Sequence, residues 1–336
     1  MNPSASALSG PDVQASLPGL QVSLSQVGVT GVEKVIRILD DDGTEQLFSA
    51  ALSCSVDLGP QQKGAHMSRF EEVVNDAIGE VILGQSAFRA ETLAVRIAQI
   101  IRDRQGALRA EVTITARYPE HKPAPVSGIQ TQEIYTLYGS AVASAAGTRR
   151  MVGVRAQGMT ACPCAQGILT ERARERLTGD GFSEDQITRI FQAVPVATHN
   201  QRGLGTLHIG LPEGLNAGID AMDLVAIVEE SMSSEIYELM KRSDEGTVVE
   251  KAHRRPRFVE DCVREAVRGA LDRYAGLPDT VFLSARQENL ETIHQHNVTA
   301  ERTGLLGELR AELASGEHLP HHTTMREWLD GEHPAR

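Results

Sequence analysis

Aromatic residues are scarce in this chain, and so are basic ones. Aromatics make up 4% of the 336 residues, with a single Trp. This composition argues against a surface that stacks nucleic-acid bases on exposed rings. Lys and Arg total 33 against 45 Asp and Glu, a formal net charge of −12, whereas a nucleic-acid binder needs a basic footprint. A single anionic small molecule in a locally basic pocket remains compatible with these numbers.

Cysteines and long apolar runs are also few. The four cysteines, Cys54, Cys162, Cys164 and Cys262, are too few for a disulfide scaffold and indicate reduced thiols. No stretch approaches the ~20 apolar residues of a membrane span. Residues 1–18 lack the basic and apolar regions of a signal peptide and are interpreted as a flexible tail. We therefore expect a cytoplasmic protein without a membrane or nucleic-acid partner.

Hydrophobic periodicity predicts strands and helices in a repeated order. Apolar residues make up 41% of the chain, enough for a core. Alternating runs predict strands at 20–39, 46–58, 108–118, 130–142, 151–158, 205–211, 280–286 and 296–301, and helical spacing predicts helices from Ser68, at 90–104, within 170–194, at 220–241 and at 257–274. The order is a ββ-αα-ββ-like pattern used twice, which favours an α+β fold with antiparallel sheets. Glycine-rich phosphate loops of the Rossmann or P-loop type are absent.

The most informative stretch is Gly158-Met-Thr-Ala-Cys-Pro-Cys-Ala-Gln166. It places two thiols at a bend that Pro163 fixes, with a spacing that differs from the Cys-x-x-Cys of thioredoxin motifs and zinc ribbons. On its own the pattern fits a functional cysteine or a pair of buried structural thiols.

Two histidine-containing motifs follow. Thr198-His-Asn-Gln-Arg202 surrounds His199 with hydrogen-bonding residues, which is unlike a core histidine and typical of a polar site or an exposed loop. Glu291-Thr-Ile-His-Gln-His296 holds a carboxylate and two imidazoles. An extended chain would put His294 and His296 on one face, and a helix would pair Glu291 with His294. A solvated turn explains the second motif equally well.

Two acidic motifs complete the set. Lys241-Arg-Ser-Asp-Glu245 is expected just past a long helix, where a carboxylate can reach a neighbouring site. Phe258-Val-Glu-Asp261 opens the next predicted helix, where acidic residues also favour the helix dipole without any further role. Together the thiol, imidazole and carboxylate groups suit zinc or ferrous iron with an open coordination position.

The ordered combination of these five motifs with Lys63-Gly-Ala-His-Met-Ser-Arg-Phe-Glu-Glu72 resembles the type IB GTP cyclohydrolase I family, including its archaeal methanopterin-pathway branch. The resemblance runs from about residue 22 to 301. It implies two tandem tunnelling-fold modules, expected at 19–158 and 159–305, followed by a C-terminal extension at 306–336. It also implies a homotetramer with active sites at subunit interfaces.

The reaction that the resemblance implies is the hydrolysis of GTP at C8, with loss of formate and formation of a dihydroneopterin phosphate for folate or related pterin synthesis. By the family pattern, Cys162, His199 and Glu245 hold one divalent metal per subunit, Zn, Fe(II) or Mn. Glu260 matches the carboxylate that anchors the guanine edge. The motif residues Glu291, His294 and His296 complete the catalytic group together with Cys162. Triphosphate binding needs cations, for which Lys63, His66, Arg69 and Arg202 are candidates.

Two regions depart from the short bacterial members. A charged helical insertion at about 167–195 separates Cys164 from His199, as in the archaeal branch. The tail carries His318, His321, His322 and His333, for which a disordered end is favoured over a second metal site. Two other functions stay open: a nitrile reductase of queuosine synthesis, with a Cys nucleophile and NADPH, and a non-catalytic purine-binding or zinc-stabilised interaction protein.

Overall fold

A computed structural model describes residues 12–39, 45–80, 89–317 and 320–331. Most of the predicted tail, and the tail histidines His318 and His333, lie outside these ranges. In the described part of the tail, Ser16 and Gln14 accept backbone hydrogen bonds from Lys63 at 3.0 Å and Gly64 at 3.2 Å. None of the described helices is both long enough and apolar enough to span a bilayer.

The chain divides into two compact units. Unit 1 comprises residues 1–114 and 139–150, and unit 2 comprises 115–138 and 151–336. The elements are β1 (Leu24–Leu39), β2 (Glu45–Leu58), α1 (Met67–Glu80), α2 (Ala90–Gln105), β3 (Arg109–Pro123), β4 (Gln130–Ser144), β5 (Gly147–Ala161), α3 (Pro163–Gly179), α4 (Glu184–Ala193), β6 (Asn200–Leu211), α5 (Ala221–Ser231), β7 (Ser234–Glu235), α6 (Arg242–Arg254), α7 (Val259–Arg273), β8 (Phe282–Leu290), β9 (Val298–Leu305), α8 (Leu306–Ser315) and α9 (Met325–Asp330). Strands β3, β4 and β5 contribute residues to both units.

Unit 1 is built from the β1–β2 hairpin and the helices α1 and α2. Its strands are antiparallel, with Val29 opposite Cys54 and Ile36 opposite Phe48. Alternate β2 residues from Phe48 to Leu58 are buried, as expected for a strand with one face on a core. Helix α1 begins at Met67, one residue before the predicted start at Ser68.

Unit 2 contains a sheet in which the strands follow the order β3-β4-β5-β6-β8-β9, with the short β7 beside β5. The β5–β7, β6–β8 and β8–β9 pairs are antiparallel. Helix α7 buries residues spaced three and four apart, from Val259 to Leu271, which is the pattern that predicted it. The single Trp, Trp328, is fully buried and stacks on Phe282 with ring centroids 5.5 Å apart, so α9 is anchored to β8. The prediction of an α+β fold with antiparallel sheets is confirmed.

One predicted helix is wrong. Residues 220–241 do not form a single long helix, because α5 ends at Ser231 and α6 begins at Arg242. Serines compete for backbone hydrogen bonds and disfavour helix interiors. Ser233 accepts from the Ala161 backbone at 3.1 Å, and Ser234 pairs with Met159 of β5. The motif Lys241–Glu245 therefore begins a helix and does not follow one.

The predicted helical insertion is a hairpin of α3 and α4. Helix α3 begins at Pro163, four residues before the predicted start at 167. Ser183 caps α4 with a capping box that includes Gln186. The unit boundaries differ from the predicted module boundaries because three strands serve both units, and the module boundaries stay predictions.

Candidate active site

A cavity of about 300 Å³ lies in unit 2 where four segments meet. These are the end of β5 with the start of α3, the start of β6, the entrance to α7, and the end of β8 with the loop that follows it. The lining residues are Cys162, Cys164, His199, Gln201, Arg257, Phe258, Val259, Glu260, Asn289, Glu291, His294, His296 and Val298.

Hydrogen bonds to main-chain carbonyl groups hold these segments together. The Cys162 N–H donates to the His199 carbonyl at 3.1 Å, and the Arg257 N–H donates to the Ala161 carbonyl at 3.0 Å. The Thr292 hydroxyl donates to the Asn200 carbonyl at 3.1 Å, which ties the loop after β8 to the start of β6. Positions that are distant in sequence are thus fixed by main-chain geometry.

The Cys-Pro-Cys motif forms the first turn of α3. Cys162 is the N-cap, and its sulfur accepts a hydrogen bond from the Ala165 N–H at 3.5 Å. Pro163 occupies the first turn, where its missing N–H is tolerated and its fixed φ suits the helix. The half-buried Cys162 sulfur therefore faces the positive end of a helix, a position that favours anionic groups. Cys164 is exposed and lines the same cavity.

Three histidine rings lie side by side at the cavity. The His199 and His294 rings have centroids 6.5 Å apart at 84°. The His294 and His296 rings stack with centroids 5.4 Å apart. Residues 292–296 form bends, neither strand nor helix. The two imidazoles of the motif nevertheless share one side, as the extended alternative predicted.

A hydrogen-bonded chain connects His199 with Glu291 through Gln201. The Gln201 Oε1 lies 3.1 Å from His199 Nδ1, and the Gln201 Nε2 donates to Glu291 Oε1 at 3.3 Å. The other carboxylate oxygen, Glu291 Oε2, is buried and has no hydrogen-bond partner among the described residues. A buried, unpaired carboxylate oxygen is costly and marks a place where a donor is expected to bind.

The two acidic residues at the start of α7, Glu260 and Asp261, have different surroundings. Asp261 accepts from the Phe258 N–H at 3.0 Å and so caps the helix. Glu260 is exposed and lines the cavity. Helix capping therefore accounts for Asp261, whereas Glu260 lies at the cavity wall and has no capping bond of its own among those described.

Five predicted site residues are not among the cavity-lining residues. Lys63, His66 and Arg69 belong to unit 1, where His66 Nε2 lies 3.4 Å from Asp12 and Arg69 donates to the Arg104 carbonyl at 2.9 Å. Arg202 of β6 lies opposite Leu290 and is exposed. Glu245 is exposed in the first turn of α6, next to a fully buried Asp244.

Asp244 anchors the start of α6 and explains the outward position of Glu245. The Asp244 carboxylate accepts from the Val126 and Ser127 N–H groups, both at 2.8 Å, and from the Ser127 hydroxyl at 2.7 Å. It also accepts from the Lys241 N–H at 2.8 Å. These bonds, chiefly those to Ser127, lower the pKa of Asp244 against the opposing effect of burial. Because Asp244 points inward, its neighbour on the helix points to solvent.

The family is decided by comparison with known proteins. Residues 11–300 match the family model described as Type I GTP cyclohydrolase folE2. The chain belongs to this family. It is 41% identical over 308 residues to the GTP cyclohydrolase MptA of Methanococcus aeolicus, covering 90% of this chain and 99% of that one. It is also 39% identical over 307 residues to GTP cyclohydrolase MptA 1 of Methanocella arvoryzae, covering 91% and 96%.

Solved structures with a similar fold include uricases. The chain matches the uricase of Arthrobacter globiformis with a TM-score of 0.50 and 8% identity, over 89% of this chain and 98% of that one. A hyper-thermostable mutant of AgUricase gives a TM-score of 0.52 at 7% identity, over 91% and 96%. At such identities the similarity concerns the fold alone, and it supports the predicted two-module tunnelling-like architecture.

The cavity of this family member contains side chains that metal ions accept as ligands. A thiol and an imidazole, from Cys162 and His199, line one cavity, and both are ligands that zinc and iron accept. Within the described ranges, no three His, Cys, Asp or Glu side chains form a group that could hold a metal. Two of the three predicted metal ligands, Cys162 and His199, therefore line one cavity, and Glu245 is not with them. In the tail, His321 Nε2 lies 3.8 Å from Glu327.

Sequence reasoning gave no role to three amide or guanidinium side chains that line the cavity of this cyclohydrolase family member: Gln201, Arg257 and Asn289. Arg257 donates to the carbonyls of Glu230 at 2.9 Å and Ser231 at 2.6 Å, and burial, with Arg255 nearby, lowers the pKa of its guanidinium. Gln201 and Arg257 each adjoin a predicted motif residue, which was the available signal. Asn289 lies in β8 and becomes a site residue only through its pairing with β6.

Proposed function

We propose that this chain is a metal-dependent GTP cyclohydrolase of type IB, in the longer archaeal-like branch. It converts GTP and one water to formate and 7,8-dihydroneopterin triphosphate, or to formate, diphosphate and the cyclic phosphate of 7,8-dihydroneopterin, for folate or related pterin synthesis. One observation carries the proposal: Cys162, His199, Glu260 and the cluster Glu291, His294 and His296 line a single cavity. Family membership and the MptA relatives support the same activity.

Glu260 binds the guanine edge in this proposal. Guanine presents adjacent N1–H and N2–H donors, which one carboxylate accepts through two charge-assisted hydrogen bonds. The exposed carboxylate at the cavity wall can meet the base without a rearrangement of α7. Few aromatic residues are needed for recognition through the edge of the base.

Cys162 and His199 hold the metal, with Glu245 as the third proposed ligand. When bound, a divalent ion lowers the pKa of water and supplies hydroxide near neutral pH. The proposed occupancy is one Zn, Fe(II) or Mn per subunit. The N-terminus of α3 stabilises the Cys162 sulfur as an anionic ligand.

His294 and His296 deliver the proton that the C8–N9 bond requires when it breaks. The departing N9 gains a proton, and a protonated imidazole at the cavity is suited to donate it and to become neutral. Their ring spacing of 5.4 Å lets one imidazole accept a proton while the other faces the substrate. The unpaired Glu291 oxygen accepts a donor from the substrate or from water.

Lys63, His66, Arg69 and Arg202 bind the triphosphate in this proposal. The first three belong to unit 1, and we propose a homotetramer in which interfaces between subunits complete each site. Local cations are required because a triphosphate carries several negative charges, whereas the chain has a net charge of −12.

Reconstitution of the metal-free protein with Zn, Fe(II) or Mn under reducing, anaerobic conditions tests the function. GTP should yield formate and a pterin whose mass distinguishes the open triphosphate from the cyclic phosphate. One metal per subunit should be present and should be lost in Cys162→Ala, with Cys262→Ala as the matched buried-thiol control. Failure of every metal to support turnover would overturn the cyclohydrolase.

The same experiment separates the alternatives. A nitrile reductase would consume NADPH through a cysteine without a metal at the thiol. A non-catalytic purine-binding protein would bind GTP, lose binding in Glu260→Ala, and leave GTP intact. Formate release with one metal per subunit contradicts both.

A further inference from the structure

Gln201 is a buried amide in a place where its strand otherwise carries glycine or apolar side chains. Its side chain is 6% exposed. The same face of β6, all of which the structure describes, continues with Gly203, Gly205, Leu207, Ile209 and Leu211. Burying an amide there is unfavourable unless both of its ends are hydrogen-bonded. Both are: one end meets His199 and the other meets Glu291.

The partners fix which way the amide faces. A carboxylate only accepts, so the Gln201 NH₂ must be the group that lies 3.3 Å from Glu291 Oε1. The Gln201 carbonyl oxygen then lies 3.1 Å from His199 Nδ1. A carbonyl only accepts, so Nδ1 carries the proton. In a neutral imidazole with that tautomer, Nε2 is the atom that carries the lone pair.

The same amide also orients the carboxylate. It engages Glu291 Oε1 and leaves Oε2 buried without a partner in the described residues. The hydrogen bond to Oε1 restricts rotation of the carboxylate and so helps to hold Oε2 in place. One side chain thus prepares both a lone pair on an imidazole and an open acceptor on a carboxylate.

We propose that Gln201 is the positioning residue of this active site: it fixes the His199 tautomer for the metal and holds Glu291 with one oxygen open to substrate. The proposal rests on the proposed function for the identity of the substrate. It assigns Gln201 no direct contact with reacting atoms. Gln201 acts through His199 and Glu291.

Two substitutions separate the effect of Gln201 on His199 from its effect on Glu291. Gln201→Leu removes both hydrogen bonds. Gln201→Glu keeps an acceptor for His199 Nδ1–H but replaces the donor to Glu291 with a second carboxylate. Gln201→Met serves as the closer match in length where the leucine variant does not fold, and Gln192→Leu on the exposed face of α4 is the control.

The first readout is Co²⁺ binding to the metal-free protein, followed by the absorption bands of cobalt with thiolate and imidazole ligands. Loss of a partner that orients a metal-binding His typically weakens affinity about 10- to 100-fold. We expect that loss in Gln201→Leu and Gln201→Met. Gln201→Glu should bind Co²⁺ at least as tightly as the wild type, and Gln192→Leu should match the wild type.

The second readout is turnover, with kcat and KM measured separately across pH. Gln201→Glu should keep its metal and lose kcat, with a changed pH profile, because Glu291 has lost its donor. If Gln201 had only a structural role, every substitution would lower the stability of the protein, and Gln201→Glu would not keep metal affinity while losing kcat. The proposal is overturned if Gln201→Leu and Gln201→Met bind Co²⁺ and turn over like the wild type, or if wild-type protein binds no Co²⁺. If the wild type binds metal but does not turn over GTP, the proposed cyclohydrolase function is rejected. The Co²⁺ titrations would still show whether Gln201 supports metal binding through His199.

Discussion

The backbone N–H of Cys162 donates to the carbonyl oxygen of His199 at 3.1 Å, although 37 positions of sequence (199 − 162) separate the two residues. Between them the chain forms the α3–α4 hairpin. Both ends of the hairpin are thus tied together beside the cavity. Because added loop length costs little entropy, such an insertion can exist without displacing either proposed ligand.

We therefore predict that the hairpin can be opened without loss of the metal site. Ile187 is the buried residue of α4, whereas α3 buries none. A charge at Ile187 is unfavourable in the closed hairpin, and Ile187→Asp should lower its opening free energy by at least about 3 kcal/mol. Hydrogen exchange should accelerate within residues 163–193, while metal binding stays at the wild-type level.

Thr188→Asp, one position along and exposed, is the matched control. It should change neither hydrogen exchange nor metal binding. Loss of metal in Ile187→Asp alone would show that the hairpin supports the site.

The sequence contained most of the site but not its connections. The Cys-Pro-Cys, His199 and Glu291–His296 motifs could be found because they occur together in the order of a known family, although each motif alone also fits a structural or solvated role. The bridge from Gln201 to Glu291 spans 90 positions and depends on the register between β6 and β8, which no local pattern encodes.

Helix α7 was predictable because its apolar spacing is local. The break between α5 and α6 was not, because the Ser234 segment extends only where β5 is present to pair with it. The position of Glu245 depends in turn on that break and on the burial of Asp244. Tertiary contacts therefore decided the elements that local patterns misassigned.

The reactivity of the thiols should decrease with their burial. Burial raises the pKa of Cys54 and of Cys262 to about 12, whereas Cys164 is exposed. The thiolate is the reactive form, and at pH 7.5 a thiol with such a pKa is ionised to the order of 10⁻⁵–10⁻⁴. Iodoacetamide should label Cys164 first and Cys54 and Cys262 last, as followed by peptide mass spectrometry. Unfolded protein should label all four at similar rates, and rapid labelling of Cys54 in the native protein would contradict the prediction.

His208 should make stability depend on pH below neutrality. Burial, reinforced by Arg155, lowers its pKa to about 4, and its ring lies 5.4 Å from that of Tyr138. A Cβ at Gly153 would come within 2.1 Å of the His208 ring, so the imidazole packs tightly against this glycine. The folded state thus keeps His208 neutral over a range in which the unfolded chain binds a proton.

Because of this difference, the folded state loses stability as the pH falls. Neutral His208 contributes fully to the free energy of unfolding above its unfolded pKa of about 6.5. This contribution, up to about 3 kcal/mol, is lost as the pH falls toward the pKa of the folded state. Urea unfolding at pH 7.5, 5.5 and 4.5 should therefore show the wild type losing more stability than His208→Gln. Parallel losses in the two proteins would assign the acid sensitivity to other groups.

Glu260 should determine selectivity for guanine. Glu260→Gln replaces one acceptor oxygen with an NH₂ group that faces the guanine donors, and such a mismatch at a bidentate, charge-assisted contact should lower kcat/KM for GTP about 10²–10³-fold. Inosine triphosphate lacks the 2-amino group, so the wild type should prefer GTP over it and the variant should lose most of that preference. Metal content should not change, and Glu213→Gln, exposed in the turn after β6, should behave as the wild type. An unchanged ratio of GTP to inosine triphosphate turnover in Glu260→Gln would remove Glu260 from base recognition, because a carboxylate that reads the 2-amino group cannot be replaced by an amide without altering that ratio.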